Sequence, residues 1–161
     1  MPTAHINIGS NLGRRDANIS DAVAGIRRIA RCRVEAVSTP VESEPQGFDS
    51  EHSFVNVGVR LYTELAPLEL LHALLQTERA ISPASHRTAA GGYADRMIDI
   101  DLIAYDDVVA DTPELTLPHP RMHERAFVLT PLAELAPTWR HPLLGLTATQ
   151  MLEALQNNKT E

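Results

Sequence analysis

The run Arg96-Met97-Ile98-Asp99-Ile100-Asp101-Leu102 is the sharpest chemical feature of the chain. On a strand, Ile98, Ile100 and Leu102 point one way and Asp99 and Asp101 point the other, with their Cα atoms roughly 6–7 Å apart. Two carboxylates that close repel unless a positive charge lies between them. A hard cation such as Mg²⁺ takes carboxylate oxygens and completes its shell with phosphate oxygens. Arg96 sits just upstream, beside a glycine-rich stretch, and its fork of donors suits phosphoryl oxygens. Metal-assisted phosphate chemistry is therefore one reading of this strand. Taken alone, the D-x-D pattern fits a pair of solvated acids on an amphipathic strand equally well.

A second cluster runs from Leu117 to Phe127 and holds His119, Arg121, His123 and Arg125. In an acidic chain such a gathering of basic groups is a candidate anion site, although a helix start with solvated arginines has the same composition. His119 and His123 have a spacing compatible with zinc, but no cysteine or further paired histidine supports that metal. Asn56 is a third feature. It lies among valines, with Phe54 and Gly58 on its own strand face. Its amide offers a donor and an acceptor side by side, which can read the edge of a flat heterocycle, and an aromatic neighbour could stack on such a ring. An exposed strand asparagine is the plain alternative. The phosphate-loop, dinucleotide-binding, nucleophile-elbow and zinc-protease patterns are all missing from the sequence.

These residues need a scaffold, and the hydrophobic periodicity supplies one. Ala4 to Ile8 reads as a strand stopping at Gly9-Ser10-Asn11. Ile19, Ala22, Val23, Ile26 and Ala30 follow at helical spacing, with Asp16 and Asn18 as capping candidates. Val34 to Thr39 is extended, and Pro40 to Ser53 is a long acidic loop. Phe54 to Tyr62 alternates cleanly, with Val55, Val57, Val59 and Leu61 on one face. Pro67 opens a helix that carries Leu68, Leu71, Leu74 and Leu75 to Glu78. Ser82 to Asp95 is a second loop, Met97 to Tyr105 a strand, and Val108-Val109 a short return strand. Pro118 to Pro120 precedes a helical segment through Phe127 and Leu132. Thr147 and Gln150 form a capping box for a last helix holding Met151, Leu152 and Leu155. Several strands are joined without helices, which favours α+β with a mainly antiparallel sheet over a doubly wound parallel one.

Composition narrows the function classes. The 161 residues fit one domain, 1–161, and 43% are hydrophobic, which argues against wholesale disorder. Fourteen Lys and Arg face twenty-one Asp and Glu, a net charge of −7. That balance argues against a nucleic-acid or anionic-membrane partner, which would need a basic stripe. A single cysteine, Cys32, fits a reducing compartment and an inert thiol. No signal layout or membrane-length apolar run is present, so a soluble cytoplasmic protein is expected; separately, its partners are expected to be small molecules and the protein a monomer.

In their order and spacing the motifs resemble one family, the 6-hydroxymethyl-7,8-dihydropterin pyrophosphokinases of folate biosynthesis. The resemblance runs from Ile6 to about Pro137. It rests on Ile8-Gly9-Ser10-Asn11-Leu12-Gly13, Glu44-Pro45-Gln46-Gly47, Phe54-Val55-Asn56, the helix ending near Glu78, Arg96-x-x-Asp99-x-Asp101, and Leu117-Pro118-His119-Pro120 followed by Arg125 and Phe127. It implies a ferredoxin-like α+β fold with a four-stranded antiparallel sheet, helices packed on it and additional C-terminal helices. It implies transfer of pyrophosphate from ATP to the hydroxymethyl group of the reduced pterin, releasing AMP. By the same resemblance Asp99 and Asp101 hold two Mg²⁺ ions, and Arg87, Arg96, His119 and Arg125 form the catalytic set. Arg96, His119 and Arg125 would contact phosphates, with Thr116 and Glu78 beside the nucleotide. Ser43, Phe54, Asn56, Tyr93 and Phe127 would form the pterin pocket, Phe127 stacking on the ring and Asn56 pairing with its edge. The chain departs from the family in its second loop, where Arg87 stands alone in Ser85–Asp95 in place of an arginine-rich stretch and Tyr93 takes an aromatic position. A non-catalytic pterin- or nucleotide-binding member of the same fold is the alternative.

Overall fold

The computed structural model describes residues 1–43, 53–82 and 97–159. Strand β1 (Thr3–Ser10) leads into helix α1 (Arg15–Arg27), then β2 (Cys32–Val37), β3 (Val41–Ser43) and β4 (Phe54–Thr63). Helix α2 (Pro67–Ile81) is followed by β5 (Asp99–Tyr105) and a short hairpin of β6 (Ala110–Asp111) and β7 (Thr116–Leu117). A 3-10 turn at Met122–Glu124, helix α3 (Ala126–Leu135) and helix α4 (Ala148–Lys159) complete the described chain. The four long strands stand in the order β2-β4-β1-β5, every pairing antiparallel. With α1 and α2 as the connections, this is the βαββαβ arrangement of a ferredoxin-like sheet. The short β3 adds to it by pairing with β4. No helix among the described residues is long and apolar enough to cross a membrane.

The period-2 pattern decides what each sheet face meets. Val55, Val57, Val59 and Leu61 join Ile6, Ile8, Ile100 and Leu102 in one core, closed by Ile19, Ala22 and Ile26 of α1 and Leu70 and Leu74 of α2. The opposite face is covered over only part of its length. There Ile103 and Ala104 pack with Val128, Leu129 and Leu132 of α3 and Met151 of α4. A bulge makes this division. The β1–β5 register shifts between His5 and Ile6, leaving Ile103 as the extra residue. A bulge re-aims the side chains beyond it. Here it separates the end of β5 that lies under α3 from the end that carries Asp99 and Asp101.

Several local expectations change. β1 runs on through Gly9 to Ser10, so Gly9 is a strand residue in the middle of the sheet and does not begin the turn. Asn18 does not cap α1. Its buried amide donates to Leu12 O at 2.9 Å and to Ser10 Oγ at 3.3 Å, pinning the turn that leaves β1, where Gly13 adopts a φ of 67°. The return strand falls at Ala110–Asp111, two residues later than Val108-Val109. The capping box of α4 forms as expected: Thr147 N donates to Gln150 Oε1 at 2.9 Å and Gln150 N to Thr147 Oγ1 at 3.1 Å.

Candidate functional site

On the sheet face that α3 covers in part, cross-strand register lays out two rows. Asn56 pairs with Gly9, and Gly9 pairs with Asp99. In the next row Gly58 pairs with Asn7, and Asn7 pairs with Asp101. Neighbouring strands lie about 4.8 Å apart, so the amide of Asn56 and the carboxylate of Asp99 rise from strands roughly 10 Å apart. Between them the central strand has no side chain. A Cβ on Gly9 would fall 2.6 Å from Asn56 Oδ1 and 3.5 Å from Phe54 Cδ1. Gly9 therefore forms a bare floor over which the amide of Asn56 lies. Glycine inside a strand often marks such a close approach.

The amide end of this floor is well ordered by its neighbours. Asn56 is 3% exposed, and its Nδ2 donates to Ser43 Oγ at 3.2 Å. Ser43 pairs with Phe54 across β3 and β4. Arg15, at the start of α1, reaches the same edge. Its Nη1 donates to Ser53 O at 3.0 Å and to Ser53 Oγ at 3.1 Å, and lies 3.5 Å from Glu42 Oε1. One guanidinium thus holds the chain on both sides of residues 44–52.

Asp99 and Asp101 are half-buried at the carboxylate end. Both are hard oxygen donors on one face of one strand. No group of three or more metal-ligating His, Cys, Asp or Glu side chains occurs among the described residues. A pair of carboxylates suits Mg²⁺, which keeps waters and takes phosphate oxygens for its remaining positions. Glu78 lies at the outer edge of β5, where its Oε1 accepts the Ile100 N–H at 3.3 Å. It thereby holds the strand that bears the two acids.

His119 follows β7, with its backbone N bonded to Ile103 O at 2.8 Å. Burial lowers its pKa, Arg121 pushes in the same direction, and Asp99 opposes them. Its Nδ1 accepts the Arg121 N–H at 3.2 Å, so the proton of the neutral ring sits on Nε2, which is left as a donor. Thr116 is exposed on β7. Thr116 and His119 both line an open groove of about 520 Å³ beside Leu143 and Leu144.

Arg125 precedes α3 as its N-cap residue and is 4% exposed. Burial lowers its pKa, but a guanidinium keeps its charge. It stands 5.6 Å from the centroid of the Phe127 ring. Phe127, in the first turn of α3, is tied to the sheet by Asn7, whose Nδ2 donates to Phe127 O at 3.0 Å.

Of the residues singled out in the sequence, register and hydrogen bonds gather Ser43, Phe54, Asn56, Asp99 and Asp101 on one sheet face. Phe127 is tethered beside it through Asn7, with Arg125 5.6 Å from the Phe127 ring centroid, and His119 is within electrostatic reach of Asp99. Glu78 supports β5 from its edge, and Thr116 shares a groove with His119. Arg87, Tyr93 and Arg96, like Glu44-Pro45-Gln46-Gly47, lie outside the described residues. The sequence reading passed over Asn7 and Arg15 and took Gly9 for the start of a turn. Asn7 carried a signal, as a polar residue between Ile6 and Ile8 in an apolar strand.

Residues 5–137 match the family model described as 7,8-dihydro-6-hydroxymethylpterin-pyrophosphokinase (HPPK). A 2-amino-4-hydroxy-6-hydroxymethyldihydropteridine pyrophosphokinase of Porphyromonas gingivalis is 39% identical over 144 residues, covering 88% of this chain and 95% of the relative. One of the same name from Bacillus subtilis is 37% identical over 132 residues, covering 82% of this chain and 77% of the relative. The fold resembles the crystal structure of Plasmodium falciparum HPPK-DHPS, wild type with pteroate, at a TM-score of 0.78 and 14% identity. That match covers 99% of this chain and 43% of the longer one.

Proposed function

The chain belongs to the 7,8-dihydro-6-hydroxymethylpterin-pyrophosphokinase family, and on that premise we propose that it transfers pyrophosphate from ATP to the hydroxymethyl group of 6-hydroxymethyl-7,8-dihydropterin, releasing AMP, in folate biosynthesis. The observation that carries this reading onto particular residues is the register row Asn56–Gly9–Asp99. It sets a ring-reading amide and a phosphate-side carboxylate on one face, separated by a strand without a side chain.

The pterin lies on the Gly9 floor, its edge read by the amide of Asn56 and its ring flanked by Phe54 and Phe127. The Ser43 hydroxyl accepts from Asn56 Nδ2 and so turns Asn56 Oδ1 inward. The pterin hydroxymethyl oxygen is then directed toward the carboxylate end. It attacks the β-phosphorus of ATP, a new P–O bond forms as the hydroxyl proton passes to solvent, and the bond from that phosphorus to the oxygen of the α-phosphate breaks, so AMP leaves. Little covalent work falls to the protein in such a transfer; alignment and charge neutralisation dominate. Asp99 and Asp101 would hold Mg²⁺, which supplies positive charge to the phosphate oxygens. His119 donates from Nε2 to a phosphate oxygen. Arg125, fixed by burial against Phe127, places a guanidinium where ring and phosphates meet. Thr116 contacts the nucleotide from the His119 side.

Asp99→Asn and Asp101→Asn test the reading. Each keeps the side-chain volume and removes one negative charge from a half-buried position, so the fold should persist. AMP release from ATP, Mg²⁺ and the reduced pterin alcohol should fall by about a hundredfold or more. Ordinary turnover in either variant would remove the metal assignment. ATP binding by the unaltered protein without AMP release would remove the transferase reading itself.

A further inference from the structure

Helix α3 contains a proline in its interior, Pro131. It stands four residues after Phe127 and has no N–H, so the helix cannot return its usual hydrogen bond to the Phe127 carbonyl. The side chain of Asn7 supplies that bond from another element, with Nδ2 donating to Phe127 O at 3.0 Å. Asn7 is 5% exposed, in the middle of the sheet. A polar side chain there is costly unless paired, and a buried carbonyl left without a donor is costly too. One bond answers both costs. The proline approaches the sheet closely because the facing strand residue is Gly58, where a Cβ would fall 2.9 Å from Pro131 Cβ. Gly58 and Asn7 are themselves cross-strand partners. A gap in the α3 ladder, a strand glycine that admits the proline, and a strand amide that fills the gap thus form one device.

We infer that Asn7 is a positioning residue for substrate binding. By completing the first turn of α3 it sets the Phe127 ring and the Arg125 guanidinium lying 5.6 Å from that ring's centroid. A core hydrogen bond elsewhere would support stability alone. This one ends on the backbone of Phe127, the residue whose ring is assigned to the pterin.

The inference rests on the assignment of Phe127 to the pterin, and the test separates the two. Steady-state AMP release is measured for Asn7→Ala, Pro131→Ala, the double variant and Phe127→Ala, varying pterin and ATP in turn. Asn7→Ala should raise the pterin KM on the order of tenfold and leave the ATP KM in place. Pro131→Ala restores an N–H four residues after Phe127, so adding it to Asn7→Ala should recover most of the loss. An Asn7→Ala protein with a lowered melting temperature but a normal pterin KM overturns the inference. So does a double variant as impaired as the single one. If Asn7→Ala does not fold, a double variant that folds with a near-normal pterin KM supports the inference, and one that also fails to fold overturns it. An unchanged pterin KM in Phe127→Ala would instead remove the pterin assignment of that ring, and the inference with it.

Discussion

Replacing Gly9 with alanine adds one methyl group at the centre of the proposed floor. The built Cβ lies 2.6 Å from Asn56 Oδ1, and ordinary contact begins at 3.4 Å, so the amide oxygen would have to retreat by about 0.8 Å. It has little room. Asn56 is 3% exposed and its nitrogen is held by Ser43 at 3.2 Å. The retreat therefore strains the Ser43 bond or rotates the amide away from the ring edge. Overpacking of this kind costs about 1–3 kcal/mol of stability. Misaligning an amide that makes hydrogen bonds of about 1 kcal/mol each raises the pterin KM by roughly tenfold. The nearest atoms to the added methyl belong to Asn56 and Phe54, and neither residue lines the groove of Thr116 and His119, so the ATP KM should hold. Steady-state AMP release with each substrate varied in turn reads the split, and urea unfolding reads the stability. An unchanged pterin KM, or equal rises for both substrates, would falsify the floor assignment. A second comparison sharpens the test: in an Asn56→Ala background the clash partner is gone, so Gly9→Ala should add little further loss.

Acid should destabilise the protein through His5. Burial, with Arg60 adding to it, lowers its pKa from 6.5 to about 4. The folded state thus refuses a proton that the unfolded state accepts below pH 6.5. Stability is full above that pH, falls as the pH drops, and levels near pH 4, a loss of about 3 kcal/mol. His119 and His141, lowered by burial as well, add in the same direction. Urea midpoints at neutral and acid pH measure this, and His5→Phe should flatten the slope; an equally steep slope in that variant would show that His5 is not its source. Gly58→Ala would place a methyl 2.9 Å from Pro131 Cβ and 3.5 Å from its backbone carbonyl carbon, neither of which can swing away. A loss of about 1–3 kcal/mol is expected, together with a weaker grip on pterin as α3 is pushed off the sheet. Wild-type stability in Gly58→Ala would mean that the helix seats elsewhere.

How far the residues spoke for themselves depends on the reach of each interaction. The alternation of Val55, Val57, Val59 and Leu61, the facing pair Asp99 and Asp101, the start of α2 at Pro67 and the capping box of Thr147 and Gln150 were all legible in order along the chain. Each rests on contacts within a few residues, where strand and helix periodicities are fixed by backbone geometry. The D-x-D pair and the motif series around Asn56, His119, Arg125 and Phe127 were legible in the same way, as residue types at set spacings. What the chain could not announce is which of these face one another. Gly9 reads locally as a turn, and only antiparallel register shows it to be a bare strip between Asn56 and Asp99. Pro131 falls inside the helical segment read through Leu132, but nothing local shows that the Phe127 carbonyl it leaves without a helical donor is met by an amide 120 residues away. Asp99 and Asp101, the Asn56 amide and the first turn of α3 were brought together when strands distant in sequence came to lie about 4.8 Å apart, a spacing set by backbone hydrogen bonds and not by the residues they join.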